Sequence, residues 1–327
     1  LRRSRGLGDV YKRQGKYAIL CNEKGGVLND PVLLRLAEDE FWFSISDSDL
    51  LLWLQGVNVS KKYDVIIDEI DVCPVQIQGP LSEDLMAKLA GEELREIPYY
   101  GLMETKIGGA DVVISQTGFT GEKGYEIYVR DAHENAELVW NAVLEAGEEF
   151  GLMVIAPAHH RRIAAGILSW GQDLDHETSP FQVNLSYQVP RNKEADYIGK
   201  EELERQRAVI DAGDFPFKMR MVGLTLGGKE ITDYAPDFWL IADADGNDMG
   251  YVTSPWWSPE LNTNIALGWV PWSSSEKGTK LQVRLPDEYS ETSGVAVDGE
   301  VVDLPFRKSV TPNIREVKKE EGLDYAE

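Results

Sequence analysis

The chain has 327 residues and a formal net charge of −23, from 33 basic and 56 acidic side chains. Such an acidic surface repels phosphate backbones and anionic lipid, which excludes nucleic-acid binding and membrane docking as principal roles. Hydrophobic content of 43% and charged content of 27% are ordinary globular values, in a chain long enough for two or three domains.

No apolar run approaches the length of a membrane span. The two cysteines, Cys21 and Cys73, are too few for a disulfide framework or a metal site, so no metal is expected. They read as reduced thiols in a cytoplasmic protein. A homodimer is one open assembly.

Residues 1–14 hold five basic side chains and one acid in an otherwise acidic chain, without the apolar core of a signal peptide. They are expected to be foreign to the fold or disordered. The pattern then opens on a strand, Lys16–Leu20. Gly25-Gly26, between the strand-like runs Tyr17–Cys21 and Val32–Leu36, is a hairpin signal. Phe41–Ile45 reads as a strand and Asp47–Leu54 as a helix with an Asp or Ser cap.

Val72–Gln78 reads as a strand, followed by a helix capped by Ser82 and stopped by Gly91. Val112–Ile114 is a further strand. Asp131-Ala132-His133-Glu134 resembles a capping box ahead of the helical spacing of Leu138, Val139, Ala142, Val143 and Ala146. A second helix is expected from about His159 to Leu168. The irregular alternation of strands and helices predicts an α+β fold.

Beyond Phe215 six strand-like runs follow, Arg220–Leu226, Phe238–Ala242, Gly250–Ser254, Ile265–Val270, Leu281–Arg284 and Val295–Val302, separated by turn residues. They predict a C-terminal β-barrel or sandwich. The expected organisation is therefore an α+β region over 15–205, a barrel domain over 215–310 and a charged tail over 311–327, with the boundary in Glu201–Asp214. Asp243–Asp248 reads as a hairpin turn, since its glycine is misplaced for a calcium loop.

The chemistry centres on Thr117-Gly118-Phe119-Thr120-Gly121-Glu122-Lys123-Gly124-Tyr125-Glu126-Ile127-Tyr128. A Gly-rich loop feeds a strand there, and the two-residue period puts Glu126 and Tyr128 on one face. A carboxylate beside a phenol at a loop mouth suits a flat, nitrogen-rich heterocycle. The alternative from pattern alone is a half-buried strand with a solvated outer face.

This run resembles the T-G-Y-T-G-E-x-G-[YF]-E-I signature of the tetrahydrofolate-dependent aminomethyltransferase family. Gly25-Gly26-Val27-Leu28-Asn29-Asp30, Trp170-Gly171-Gln172-Asp173-Leu174-Asp175, Asp196-Tyr197-Ile198-Gly199-Lys200, Gly250-Tyr251-Val252-Thr253-Ser254 and Leu304-Pro305-Phe306 are similar to further family stretches, over about Gly15 to Arg307. The resemblance implies a folate-binding fold with a C-terminal barrel. It also implies that the chain lacks a sizeable N-terminal segment, leaving part of the first sheet unpaired.

The resemblance assigns pterin binding to Glu126, with Tyr128, Tyr17 and Phe119 as further folate contacts. Asn29 stands where the family carries its catalytic aspartate, and the family's Arg-Asp-containing helix is reduced to Arg162. The pattern around Asn29, with the Phe41–Ser44 strand, is closer to the dimethylsulfoniopropionate demethylases, in which tetrahydrofolate takes a methyl group from a sulfonium.

That chemistry suits a neutral side chain. A sulfonium leaves as a neutral thioether and needs no general acid, so positioning does most of the work. Asn29 and Tyr17 are then the residues at the reacting centre, although a turn asparagine in Asn-Asp-Pro is the plain alternative for Asn29. Trp42 and Trp170 offer aromatic faces to a cation, and Ser44 and Arg162 suit a substrate carboxylate. The expected partners are folate and a small sulfonium substrate. Aminomethyl or O-methyl transfer, a non-catalytic folate module, and a detached folate domain of a flavin-linked dehydrogenase remain alternatives.

Overall fold

The structure is a computed structural model that describes residues 13–46 and 48–307. Expectations for the first twelve residues and for the tail lie outside the described residues. In chain order, strands β1 (Gln14–Tyr17), β2 (Leu20–Cys21), β3 (Val27–Asn29), β4 (Val32–Arg35) and β5 (Phe41–Ser44) precede helix α1 (Leu50–Lys61). β6 (Val72–Gln78), α2 (Ser82–Ala90), β7 (Leu102–Ile107), β8 (Ala110–Ser115), β9 (Gly124–Arg130) and α3 (Ala132–Gly147) follow. Then come α4 (His159–Ala164), α5 (Lys200–Asp211) and the strands β10 (Met219–Leu226), β11 (Trp239–Ala242), β12 (Asp248–Ser258), β13 (Thr263–Pro271), β14 (Lys280–Val283) and β15 (Val297–Val302). The expected α+β class and C-terminal barrel are both present.

The described chain forms two compact units. One joins residues 13–17 to Val32–Pro157, and the other joins Ala18–Pro31 to residues 158–307. In the first unit the antiparallel sheet β6-β9-β8-β7 carries α2 and α3 on one face. Leu85, Met86, Val139 and Val143 from the helices close over Val112, Ile114, Tyr125, Ile127 and Val129. On the opposite face Val113 and Tyr128 pack with Leu34, Leu36, Leu102 and Trp42, which brings in the small sheet β1-β4-β5. β9 is therefore buried on both sides, and the reading of a solvated outer face is overturned.

Local differences from expectation have identifiable causes. α1 runs on to Lys61, past the expected end at Leu54, because one glycine at Gly56 costs a helix about 1 kcal/mol without breaking it. Asp49 precedes it but makes no side-chain cap bond. Ser82 lies inside α2, and its hydroxyl donates instead to the Lys123 carbonyl at 3.1 Å. Asp131 sits before α3 in left-handed backbone (φ 49°), so it forms no capping box.

The His133 N–H is taken by Asp71 at 3.3 Å. The sheet also reaches into the segment expected to be foreign. The Arg13 N–H donates to the Arg35 carbonyl at 2.8 Å, and Gln14 opens β1.

In the second unit Gly25-Gly26 does form the turn of a hairpin, between β2 and β3, while β4 pairs with β1 and β5. A Cβ at Gly26 would lie 1.9 Å from the His176 carbonyl oxygen, so only glycine fits there. All six C-terminal runs become strands of a closed barrel of order β10-β13-β12-β11-β14-β15. Its interior is filled by Leu224, Ile241, Ala266, Val270, Val283 and their neighbours.

Asp243 opens the β11–β12 turn by accepting the Asp245 and Asn247 N–H groups, each at 2.9 Å. α4 is shorter than expected, ending at Ala164. α5 occupies the charged stretch where the domain boundary is expected, and buries Leu203 and Gln206.

Candidate active site

The Gly-rich loop is built around one side chain from the neighbouring strand. Gln78, at the end of β6, donates to the Thr117 carbonyl at 3.2 Å, and the Thr120 hydroxyl donates to its Oε1 at 2.9 Å. A Cβ at Gly118 or Gly124 would fall 2.2 and 2.4 Å from Gln78 atoms. A side chain at either glycine would displace the Gln78 amide and its bonds to the loop, and the turn carries Thr117 and Phe119 to the mouth of β9.

Glu126 is 7% exposed and points to the face opposite the helices. Its Oε1 accepts from Gln76 Nε2 at 2.9 Å. Its Oε2 accepts from the Tyr128 hydroxyl at 3.1 Å and from the Thr117 hydroxyl. Burial raises the Glu126 pKa, and the three donated hydrogen bonds oppose that shift without cancelling it. Burial and the neighbouring Glu126 charge likewise push the Tyr128 phenol upward, so it stays a donor.

Strand register adds further members. Gln76, Glu126 and Ser115 are directly opposite one another on β6, β9 and β8, forming one polar row across the sheet. Ser44 on β5 hydrogen-bonds the Tyr128 phenol, extending the network to the small sheet. Tyr17, Val32 and Ser44 are cross-strand partners on β1, β4 and β5, so Tyr17 leaves that sheet on the same side as Ser44. Trp42 packs in the Tyr128 cluster, and the Arg130 guanidinium lies 4.6 Å above its ring centre. One face of this ring is taken by the arginine cation.

Comparisons with known proteins show the family. Residues 5–193 match the model of the GCVT N-terminal domain, and residues 220–308 match that of the glycine cleavage T-protein C-terminal barrel domain. The chain belongs to the glycine-cleavage T-protein family.

A dimethylsulfoniopropionate demethylase DmdA of Ruegeria pomeroyi is 35% identical over 271 residues, covering 83% of this chain and 71% of that protein. Aminomethyltransferases of Saccharopolyspora erythraea and of Clostridium botulinum (strain Okra) are 30% and 32% identical, covering 90% and 86% of this chain and 76% and 74% of theirs. The solved aminomethyltransferase T of the glycine cleavage system of Bartonella henselae superposes with a TM-score of 0.71 at 23% identity, over 93% of this chain and 79% of that one.

Members of the T-protein family are folate-dependent one-carbon transferases. The Glu126 carboxyl offers two acceptor oxygens, the complement of paired N–H groups on a heterocycle. The other unit holds the remaining residues named from the sequence. Asn29 lies on β3, pairs with Leu20 and is fully buried. The Trp170 indole N–H donates to the Val27 carbonyl at 2.9 Å, which fixes its ring against the same hairpin.

Arg162 is 1% exposed, and its guanidinium bonds Asp173 at 2.8 Å, Ser254 at 2.8 Å and the Ile167 carbonyl at 3.1 Å. It is the cation of a core network and not a partner for a substrate carboxylate, which corrects the sequence expectation. Asp173 completes that network by accepting from the Thr253 and Ser254 hydroxyls, each at 2.6 Å.

Sequence reasoning missed Thr117 and Gln76 as partners of Glu126, and Asp173 as the partner of Arg162. Thr117 opens the signature and was within reach of inspection. Gln76 could be found only from register, and Asp173 only from the packing of Arg162. Among the described residues no cluster of His, Cys, Asp and Glu suits a metal ion, and no helix is long and apolar enough to cross a membrane.

Proposed function

We propose that this protein is a tetrahydrofolate-dependent S-demethylase of the dimethylsulfoniopropionate type. The observation that carries the reading is Asn29: a neutral, fully buried side chain at the position where the aminomethyl-transferring relatives are expected to place their catalytic carboxylate. Burial without charge suits transfer from a substrate that is already cationic. A carboxylate there would serve a reaction that develops positive charge. The 35% identity to a dimethylsulfoniopropionate demethylase, against 30% and 32% to the two aminomethyltransferases, supports the same choice.

Tetrahydrofolate supplies the N5 lone pair that receives the methyl group. The carbon–sulfur bond breaks with its electron pair staying on sulfur, and the N5 proton passes to solvent. Glu126 holds the pterin edge through its two oxygens, while Thr117 and Tyr128 keep the carboxyl oriented. Tyr17 and Phe119 flank the ligand in this reading, and Ser44 fixes the phenol of Tyr128. In the other unit Asn29 contributes a buried side chain without charge, which suits a donor that is already cationic. The free thiols Cys21 and Cys73 fit a cytoplasmic setting, and burial pushes the Cys21 thiol up to about 12, making it unreactive.

The test is incubation with tetrahydrofolate and either dimethylsulfoniopropionate or an aminomethyl carrier, following folate products by mass. Formation of 5-methyltetrahydrofolate and a methylthio acid is expected with the first donor only. Turnover of the aminomethyl carrier without any from the sulfonium would refute the proposal.

A further inference from the structure

Ser115 ends β8 directly opposite Glu126, so the two side chains share a face of the sheet, with Cβ atoms about 4.5–5.5 Å apart by ordinary cross-strand geometry. It is fully buried, and its hydroxyl has no hydrogen-bond partner among the described residues. The cost is out of proportion to the site. An unmet buried hydroxyl destabilises a fold by about 1–3 kcal/mol, and alanine would fill the same place without it.

The other polar groups around the carboxyl are engaged with it. Gln76 donates to Glu126, and Thr117 and Tyr128 donate to its second oxygen. Tyr128 is also hydrogen-bonded by Ser44. Among the described residues Ser115 is the one in this row whose buried hydroxyl is without a partner.

We propose that Ser115 is a ligand-contacting residue whose hydroxyl donates to the ring carbonyl of the pterin held by Glu126. The inference rests on the folate reading of Glu126 and extends it to a second polar contact. A 2-amino-4-oxo ring presents an amino N–H, a ring N–H and a carbonyl oxygen in sequence along one edge. The two Glu126 oxygens match the two N–H groups. The carbonyl then needs a donor on the next position of the row, where β8 places Ser115. Ligand binding would satisfy the orphan hydroxyl, so the destabilisation in the free protein becomes affinity in the complex.

The experiment compares wild type, Ser115→Ala, Ser115→Cys and Glu126→Gln. Tetrahydrofolate binding is measured by calorimetry, with 6-methyltetrahydropterin as a second probe lacking the glutamate tail, and thermal melting is followed without ligand. Ser115→Ala is expected to weaken tetrahydrofolate about five- to tenfold, the worth of one hydrogen bond. The ratio should be the same for the pterin, because the contact is to the ring.

The thiol of Ser115→Cys is a weak donor and should give a similar loss. The alanine variant should melt no lower than wild type. Unchanged affinity in Ser115→Ala with weakened Glu126→Gln would overturn the Ser115 contact and leave the folate site standing. Unchanged affinity in both would overturn the folate reading as well. A melting temperature several degrees lower in Ser115→Ala would mark the hydroxyl as structural and also overturn the proposal.

Discussion

Replacing Glu126 by glutamine separates the ligand-binding role of this side chain from its packing role. In the free protein the two carboxyl oxygens face different partners. Oε1 meets the Gln76 amide N–H₂, which can only donate from that nitrogen, while Oε2 meets two hydroxyls, which can turn and accept. A glutamine amide therefore fits with its oxygen toward Gln76 and its nitrogen toward Thr117 and Tyr128. Little folding stability should be lost.

The ligand has no such freedom, since two ring N–H groups would then meet one acceptor and one donor. Losing a charged buried hydrogen bond costs about 1.5–3 kcal/mol, or about 10- to 150-fold in tetrahydrofolate affinity. Calorimetric titration of both proteins measures it, and equal affinities would remove Glu126 from the site. The same variant reports on the raised pKa. Burial holds the Glu126 carboxyl above the usual carboxylate range, so the folded state binds the proton more tightly than the unfolded chain.

The contribution of this group is thus greatest at acid pH and is lost as pH rises through the folded-state value. The melting temperature of wild type relative to Glu126→Gln should fall as pH rises above about 4.3, the ordinary glutamate value. A difference that stays flat or rises would contradict the burial argument.

Three further outcomes are expected. Arg162→Ala leaves Asp173 as an uncompensated buried charge and should destabilise the fold by about 3–5 kcal/mol in denaturant titration; a loss below about 1 kcal/mol would show that the network is dispensable. Asn29→Asp should lower demethylation modestly and create no aminomethyl transfer; a gain of about 10²–10³-fold in the aminomethyl reaction, the worth of one electrostatic group, would reverse the functional assignment. Truncation through Gln14 should melt below truncation through Lys12, because only the first removes the hydrogen bonds of Arg13 to Arg35 and Leu102; equal melting would show that these bonds carry no net stability.

The sequence by itself determined the elements whose physics is local. The two-residue period of β9 places Glu126 and Tyr128 on one side and Tyr125, Ile127 and Val129 on the other, as the packing of the sheet bears out. The turn glycines and β-rich runs of the C-terminal half likewise predict a barrel, because each strand carries its own alternation and its own stop. The signature loop was legible for the same reason.

Partners distant along the chain were decided only by tertiary structure. Ser115 and Gln76 are ordinary strand residues until register sets them against Glu126, 11 and 50 positions away. The same holds for Ser82 and Asp131, which have the right identity to cap a helix but the wrong backbone and nearer competitors. Arg162 looked like a binding residue because a guanidinium suits any carboxylate. Folding brings Asp173 and Ser254 to it first, and a buried cation goes to the partner that repays its desolvation.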